Sequence, residues 1–524
     1  MTLQSPKQFV MAVDGGTGSC RSVIFDRDGV QISLSQQEWS HKPLPGYPMS
    51  QVFDTKTNWG LICQCIRNSI EKAGVQSSQI RAVSATSMRE GMVLYDNDGR
   101  EIWACPNVDS RASKESVALV KSGMAKKIYF TAGDWISITS PPRFLWIKKH
   151  EPDIFRRIAH MSMLADWIVF KLSGEFVTDP SIGSSSGLFD LKTRDWSSKL
   201  TSLIGLDSKI FPRIVPSGST VGSVTGKAAA ESSLSEGTPV VVGGADTQLG
   251  LTGIGVSHPG QVTVLGGTFW QHTVLLDHPL IDPKIRLRTL CGTIEGQWMM
   301  EGIGFYCGLS MRWFRDAFCE AEKEEAKRQG IDAYEVMEKE ASLVPPGSNG
   351  VFGIFSNLMN SKQWHHASPA FLQFDVTSPE TSGKKESIRA IEEAAAYVSL
   401  GHHRIIESLT KTKPEKILFA GGGSKGFLWP QILSDTIGVQ VDVPVVKEST
   451  ALGAAICAGV GAGFYQSIRE GSSRSTKIEK SFRPRKEAHE RYMELYERWL
   501  KIYAESLRLT DEGMLSPMWR AAGS

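Results

Sequence analysis

Three glycine-rich turns in this sequence could bind phosphate. They are residues 15–19 (GGTGS), 266–268 (GGT) and 421–424 (GGGS), and each follows an apolar run typical of a strand. Glycine lets backbone N–H groups converge on an anion without interference from a Cβ atom. Hydroxyl side chains in the turns add further donors: Thr17, Ser19, Thr268 and Ser424. The third turn precedes a helical pattern, whose N-terminus would add partial positive charge.

Two acidic residues stand close to glycine pairs at the ends of predicted strands. Asp14 precedes the first turn, and a carboxylate there suits Mg²⁺ held through its water ligands. Asp246 follows a buried strand pattern and could accept a proton from a substrate hydroxyl. A structural alternative is that Asp246 only caps a helix beginning at Thr247. Arg21, just beyond the first turn, could neutralise a phosphate charge.

The common nucleotide-binding fingerprints are absent. No GxxxxGK[ST] string occurs, and the first turn has no GxGxxG and returns into a strand pattern. The adjacent histidines at 365–366 and 402–403 lack the carboxylate spacing of a zinc site. The DRDG and DNDG strings lack the remaining ligands of a calcium loop and predict hairpin turns.

The elements that must position these residues alternate between strands and helices. The first turn lies between FVMAVD and RSVIF, which predicts a hairpin, and NWGLICQCIRNSIEKAG has helical spacing. A further buried strand pattern, TPVVVGGAD, ends in glycines and an acid, and GQVTVLGGTFWQHTVLLD again predicts a strand, a glycine turn and a returning strand. A mixture of this kind predicts an α/β protein with related glycine turns facing a shared cleft.

Length and composition predict a soluble, cytoplasmic protein of two domains. The chain has 524 residues, 41% hydrophobic and 22% charged, with a net charge of +2, so neither nucleic acid nor a membrane is expected as a partner. Its eight scattered cysteines predict buried, reduced thiols. The boundary is expected near residues 250–260. Near the end, one helical face carries Tyr492, Leu495, Tyr496, Trp499 and Tyr503, which predicts a helix packed on the body.

Several strings resemble the FGGY family of carbohydrate kinases, within the superfamily of sugar kinases, actin and heat-shock-protein ATPases. VDGGTGSCRSVIFD resembles its first phosphate hairpin, VVVGGADTQLG its catalytic-acid strand, VLGGTFW its second hairpin and FAGGGSKGFLWPQILSD its adenosine turn. The resemblance implies an α/β fold of two ribonuclease-H-like domains with an interdomain cleft. The implied division is residues 1–256 and 257–470, with a helical tail over 471–524.

The resemblance also implies roles for individual residues, with ATP and Mg²⁺ as cofactors. Asp246 is implied as the catalytic base and Asp14 as the magnesium-side acid. The implied acceptor-side residues are Arg89, Glu90, Trp103, Asp246, Gln248 and Trp270. The implied nucleotide-side residues are Thr17, Gly18, Ser19, Arg21, Gly267, Thr268, Gly308, Arg312, Gly423 and Ser424. Two departures are visible: Gly18 replaces a second threonine of the family's first hairpin, and Pro106 interrupts the string after Trp103.

A closer likeness within the family, carried by AVSATSMREGMVLYDNDGREIWACPNVDSRA and GLSMRWFRDAFC, implies a particular acceptor. That acceptor is 4,5-dihydroxypentane-2,3-dione, the precursor of a quorum-sensing signal, phosphorylated on its terminal hydroxyl. The phosphocarrier protein HPr is implied as a regulatory partner. Two alternatives stay open at this point. One is a kinase for another small polyol or ketose, such as a pentulose or glycerol. The other is an actin-like nucleotide-binding protein without phosphotransfer.

Overall fold

A computed structural model describes residues 7–358, 364–411, 413–445 and 448–521 of the chain. Its strands are β1 (Phe9–Gly15), β2 (Ser19–Asp26), β3 (Gln31–Glu38), β4 (Lys42–Leu44), β5 (Tyr47–Val52), β6 (Ile80–Ser87), β7 (Met92–Tyr95), β8 (Glu101–Cys105), β9 (His160–Met163), β10 (Val177–Thr178), β11 (Phe189–Asp190), β12 (Asp195–Trp196), β13 (Arg213–Ile214), β14 (Thr220–Ser223), β15 (Pro239–Ala245), β16 (Val262–Gly266), β17 (Trp270–Leu276), β18 (Arg288–Cys291), β19 (Trp298–Gly304), β20 (Phe352–Ile354), β21 (Ala370–Leu372), β22 (Lys416–Ala420), β23 (Gln440–Pro444) and β24 (Ile478–Phe482).

Helices alternate with these strands, as the sequence predicts. They are α1 (Thr55–Ala73), α2 (Ser113–Lys121), α3 (Met124–Ala132), α4 (Ser140–His150), α5 (Pro152–Arg157), α6 (Leu164–Ser173), α7 (Pro180–Ser184), α8 (Ser198–Leu203), α9 (Gly226–Ser232), α10 (Asp246–Gly253), α11 (Cys307–Phe318), α12 (Glu320–Gln329), α13 (Ala333–Ala341), α14 (Lys384–Thr410), α15 (Leu428–Ile437), α16 (Ser449–Gly461), α17 (Ile468–Ser475) and α18 (Lys486–Asp511). Among the described residues, no helix combines the length and apolar character needed to cross a bilayer.

The first large sheet brings the carboxyl ends of three parallel strands to the same edge. Its order is β14-β15-β6-β1-β2-β3, with β1, β6 and β15 parallel. The register pairs Ser87 with both Gly15 and Ala245, so the segments that follow these residues leave the sheet side by side. The predicted hairpin is confirmed, because β1 pairs antiparallel with β2 around the first glycine turn.

The second large sheet brings the other two glycine turns together. Its order is β18-β19-β17-β16-β22-β23-β24. Strand β16 pairs antiparallel with β17 and parallel with β22, with Leu265 beside Ala420. The turns that follow β16 and β22 therefore leave the same sheet edge.

Each large sheet has a core of its own. The first packs against α1 through residues such as Ile62 and Ile66, and the second packs against α14 and the aromatic face of α18. The five residues predicted to share one face of the last helix are all buried: Tyr492, Leu495, Tyr496, Trp499 and Tyr503. All eight cysteines lie in the described ranges as free, buried thiols, which confirms the prediction.

Helix α16 comes late in the chain, yet it packs against β1, β6 and β15 of the first sheet. It also crosses α10 in backbone contact. A Cβ atom built on Gly253 would lie 2.0 Å from the Ser449 carbonyl oxygen, and one on Gly453 would lie 2.0 Å from that of Leu249. This crossing places the start of α16 beside Asp246, where Thr450 Oγ1 donates to the Asp246 carbonyl at 3.4 Å.

Candidate active site

Asp246 lies at the carboxyl edge of the first sheet as the first residue of α10. Its Oδ1 accepts a hydrogen bond of 2.7 Å from the Thr247 backbone N–H, and 34% of the side chain is exposed. Burial in the cleft raises the pKa of this carboxyl, Arg89 opposes the rise, and Glu90 adds to it. A carboxylate of raised pKa is a better proton acceptor than a free one. Asp246 is thus a helix residue whose carboxylate still reaches the cleft.

Arg89 and Glu90 follow β6 and contact both sides of the cleft. Arg89 Nε lies 3.8 Å from Asp246 Oδ1, and its Nη1 donates to Glu301 Oε1 at 2.9 Å. Glu90 Oε1 accepts from Arg288 Nη1 at 2.9 Å. Glu301 and Arg288 belong to the second sheet, so the predicted substrate pair is bound to residues about two hundred positions away along the chain.

The backbone of Glu90 has an uncommon conformation. Its φ of 63° lies in the left-handed region, which costs energy for a side chain that is not glycine. Two contacts hold it there: the backbone N–H donates to Ser185 Oγ at 3.3 Å, and the carbonyl accepts from Arg143 Nη1. Both Arg143 and Glu90 are buried. The structure thus maintains a strained residue where its carboxylate faces Arg288.

Asp14 and Arg21 lie opposite each other in the β1–β2 register. Arg21 Nε lies 3.5 Å from Asp14 Oδ2, and Arg21 Nη1 donates to Glu448 Oε2 at 2.6 Å. Burial raises the pKa of Asp14 to about 7, although Arg21 opposes the rise. Asp14 Oδ1 is buried and has no hydrogen-bond partner among the described residues. A buried acceptor without a partner fits a carboxylate that binds the water shell of Mg²⁺.

The first glycine turn directs its amides away from its own sheet. Trp39 Nε1 donates to the carbonyls of Gly16 at 3.0 Å and Thr17 at 3.2 Å, and the Trp39 backbone N–H donates to that of Gly18 at 3.1 Å. In a trans peptide the N–H points opposite to the C=O. The amides of Thr17, Gly18 and Ser19 therefore point away from Trp39, which is the arrangement of an anion cradle.

The second glycine turn packs directly on α11. A Cβ atom on Gly308 would lie 2.1 Å from the Gly267 carbonyl oxygen, so only glycine fits there. The Leu309 N–H donates to the Thr268 carbonyl at 3.4 Å. Gly267, Thr268 and Gly308 are thus brought together, and Arg312 lies exposed one turn further along α11.

The third turn abuts the second, but the N-terminus of the helix that follows it is occupied by a carboxylate of the protein. Gly421 has a φ of 101° and lies against Gly266. Ser424 is buried and donates to the Gly421 carbonyl at 2.9 Å. The prediction that the N-terminus of the following helix is available to a bound phosphate is wrong, because a side-chain carboxylate occupies it. The Glu338 carboxylate accepts from the backbone N–H groups at the start of α15: Phe427, Leu428 and Trp429.

Three predicted acceptor residues are buried in packing. Trp270 is 2% exposed, with ring centroids 5.2 Å from Phe419 and 4.9 Å from Trp429, below the Gly423 turn. Trp103 is 8% exposed, and the Arg111 guanidinium lies 4.9 Å from its ring centre. Gln248 is buried and donates to the Cys291 carbonyl at 3.3 Å.

Sequence reasoning missed residues that the structure brings to Asp246. Gln271 Nε2 donates to Thr247 Oγ1 at 3.3 Å. Because successive strand residues face opposite sides, Gln271 reaches Asp246's helix while its neighbour Trp270 faces the core. This alternation of side chains with a period of two residues is a signal in the sequence that could have identified Gln271. Glu301 and Arg288 carried no local signal, because Arg89 and Glu90, which they contact across the cleft, lie about two hundred residues earlier in the chain.

The fold and this site together define a phosphotransferase with an alcohol acceptor. The chain matches the N-terminal domain of the FGGY family of carbohydrate kinases over residues 9–253 and the C-terminal domain over 263–462. It belongs to that family. Its curated relatives include the autoinducer-2 kinase of Escherichia coli K12, 45% identical over 525 aligned positions that cover 100% of this chain and 99% of the relative. The autoinducer-2 kinase of Yersinia pseudotuberculosis is 46% identical over 98% of both chains.

Solved structures of the family share the same fold. A gluconate kinase from Lactobacillus acidophilus superposes with a TM-score of 0.84 at 18% identity, covering 95% of this chain and 97% of that one. A Plasmodium falciparum glycerol kinase solved with ADP gives a TM-score of 0.82 at 17% identity, covering 95% and 98%. These likenesses confirm the predicted fold class of two α/β domains around a cleft.

Proposed function

We propose that this chain transfers a phosphoryl group from ATP to the terminal hydroxyl of 4,5-dihydroxypentane-2,3-dione, the precursor of the quorum-sensing signal autoinducer-2. The observation that carries this acceptor is the 45–46% identity to autoinducer-2 kinases along essentially the whole chain. Membership of the FGGY family supports the class of reaction independently of the acceptor.

The chemistry of the cleft suits such an acceptor. A dihydroxydione has two carbonyl oxygens that accept hydrogen bonds and two hydroxyls that donate them. Around Asp246 the protein offers guanidinium donors on Arg89 and Arg288 and carboxylate acceptors on Glu90 and Glu301. Glu301 Oε2 is buried and has no hydrogen-bond partner among the described residues, so it could accept a bond from a hydroxyl. Charged donors and acceptors of this kind make the stronger hydrogen bonds.

In the proposed reaction, Asp246 acts as the general base. One of its Oδ atoms accepts the proton of the terminal hydroxyl as the alcohol oxygen bonds to the γ-phosphorus of ATP, and the bond from that phosphorus to the β–γ bridging oxygen breaks, so that ADP leaves. General-base assistance of this kind typically contributes 10²–10⁴-fold in rate, about 3–5 kcal/mol of barrier. Arg89, 3.8 Å from Asp246, favours the charged form of that carboxylate before the proton arrives. Arg89 and Glu90 orient the acceptor so that one hydroxyl meets the base.

ATP is the proposed donor, and the three turns would hold it. The amides of residues 17–19 and 267–268 would contact the outer phosphates, with Arg21 at the edge, and Gly423 and Ser424 would face the adenosine. Asp14 would hold Mg²⁺ through water, and the metal would supply screening of the phosphate charge. A cytoplasmic location, which rests on composition and cysteine usage, and regulation by the phosphocarrier protein HPr, which rests on the resemblance alone, complete the proposal.

The assay is ADP formation by the purified protein with Mg-ATP and a panel of acceptors: 4,5-dihydroxypentane-2,3-dione, xylulose, ribulose and glycerol. Turnover selective for the dione supports the proposal. Preference for a pentulose or glycerol would retain the role of Asp246 and replace the acceptor. No stimulation by any acceptor would favour the nucleotide-binding alternative without phosphotransfer.

A further inference from the structure

Arg288 joins carboxylates from both domains on one guanidinium. It begins β18 in the second sheet, and its side chain is 12% exposed. Its Nη1 lies 2.9 Å from Glu90 Oε1 and 3.2 Å from Asp134 Oδ2, both on the first-domain side of the cleft. Its Nε donates to Glu301 of the neighbouring strand β19. One side chain therefore holds three buried acids.

These contacts form a continuous path to the proposed base. Glu301 Oε1 accepts from both Arg288 and Arg89, and Arg89 lies beside Asp246. The path crosses between the domains twice: Asp246 and Arg89 come from the first, Glu301 and Arg288 from the second, and Glu90 from the first again. A displacement of one domain relative to the other would break it at Arg288 and at Arg89.

Arg288 also controls the charge of its neighbours. Burial raises the pKa of Asp134 to about 6, with Arg288 opposing and Glu90 adding to the rise. At Glu301 burial again favours the neutral form, but Arg288 and Arg89 together outweigh it and lower the pKa. Without Arg288, three buried carboxyls would face one another with Arg89 as the nearest remaining cation, and uncompensated buried charges of this kind are costly.

We propose that Arg288 is a positioning residue for the acceptor: it aligns Glu90 and the Glu301–Arg89 pair when the two domains come together, so that acceptor binding requires a closed cleft. This inference rests on the proposed phosphotransfer function and adds a residue from the nucleotide-side domain to the acceptor site. The planar fork of arginine suits the task, because it presents several donors at fixed angles, whereas a lysine ammonium is a single point charge.

The test is steady-state kinetics of Arg288→Ala and Arg288→Lys with each substrate varied in turn. For Arg288→Ala we expect the acceptor KM to rise by about 100-fold, the scale of a misplaced positioning group. We expect kcat to fall by less than about tenfold and the KM for ATP to change by less than about twofold. The acceptor KM of Arg288→Lys should fall between those of Arg288→Ala and the wild type. Because lysine retains a positive charge, this variant keeps the proposal testable if the alanine variant does not fold.

Arg194→Ala is the matched control. Arg194 also bridges the domains, with Nη1 donating to the Gln297 carbonyl at 2.6 Å, but among the described residues it contacts carbonyls and the Trp298 ring rather than the acids of the acceptor site. We expect its acceptor KM to stay within about twofold of the wild type. An equal KM increase in both variants would overturn the proposal, because it would assign the effect to interdomain contact in general. Equal increases in the KM values for ATP and for the acceptor in Arg288→Ala would overturn the proposal as well.

A pH profile and a scattering measurement complete the test. The acid limb of acceptor kcat/KM should move to higher pH in Arg288→Ala, because Asp134 and Glu301 lose a cation while Arg89 and Asp246 remain. In small-angle scattering without acceptor, Arg288→Ala should have a larger radius of gyration than the wild type and Arg194→Ala. An unchanged radius would overturn the link to closure. This measurement needs no turnover, so it separates failure of the inference from failure of the proposed acceptor.

Discussion

Replacing Gly308 by alanine tests the phosphate end of the site. Gly308 is the second residue of α11, and its Cα faces the backbone of the second glycine turn. The added Cβ atom would lie 2.1 Å from the Gly267 carbonyl oxygen and 3.0 Å from its carbonyl carbon, whereas ordinary contacts begin at 3.4 Å. Backbone cannot rotate aside as a long side chain can. Either α11 or the turn must therefore move by more than about 1 Å.

The expected effect follows from that displacement. Overpacking a well-packed contact costs about 1–3 kcal/mol of stability, because neighbouring backbone shifts to make room. A shift of about 1 Å in groups that align a reacting phosphate costs roughly 100-fold in rate, about 2.7 kcal/mol of barrier. We therefore expect Gly308→Ala to lower kcat/KM for ATP by about 100-fold. The KM of the acceptor should change by less than about threefold, since Asp246 and Arg89 lie on the other sheet.

Gly60→Ala is the control for this substitution. Gly60 also lies in a helix, α1, but no atom is within 4 Å of the Cβ position. Alanine there should leave the kinetics unchanged and add about 0.5–1 kcal/mol of stability. The measurements are ADP formation at varied ATP and thermal unfolding of both variants. If Gly308→Ala keeps kcat/KM for ATP within about threefold of the wild type, the turn is not held rigidly by α11 and the reasoning fails.

Three further predictions address other parts of the molecule. Asp246→Asn should lower kcat by 10²–10⁴-fold while calorimetry shows ATP affinity unchanged; near-normal turnover would exclude its role as the base. Trp270→Phe should lower the melting temperature and leave the acceptor KM within about twofold, because the ring packs in the core; a large KM change would place it in the pocket instead. Burial lowers the pKa of His366 and His402 from 6.5 to about 3, so the unfolded chain takes up protons that the folded chain does not. Stability is then fully present above pH 6.5 and falls below it, by about 1.4 kcal/mol per histidine at pH 5.5, and His402→Gln should flatten this dependence in chemical denaturation.

Much of the site could be predicted because its parts are local. A glycine turn between two strands needs only neighbouring residues, and the β1–β2 pairing with Asp14 opposite Arg21 follows from strand periodicity. Asp246 could be placed at a strand end from the apolar run before it. The family resemblance then supplied roles that the patterns alone left open, such as Asp246 as a base rather than a helix cap.

Other features depended on contacts between distant segments. Strand alternation distinguishes Gln271 from Trp270 only once the buried face of β17 is known. The N-terminus of α15 looks available in the sequence, yet Glu338, about ninety residues earlier, occupies it. The late helix α16 packs on the first sheet, which places Glu448 beside Arg21.

The sequence by itself determined the α/β class, the three glycine turns and the acids beside them, because each is encoded in a few consecutive residues. Only the tertiary structure decided that Arg288 and Glu301 contact Arg89 and Glu90. The two pairs belong to different domains, and no local pattern indicates which charges meet when two domains come together. Burial makes these contacts energetically important, because a charged group removed from water needs a compensating partner within the protein.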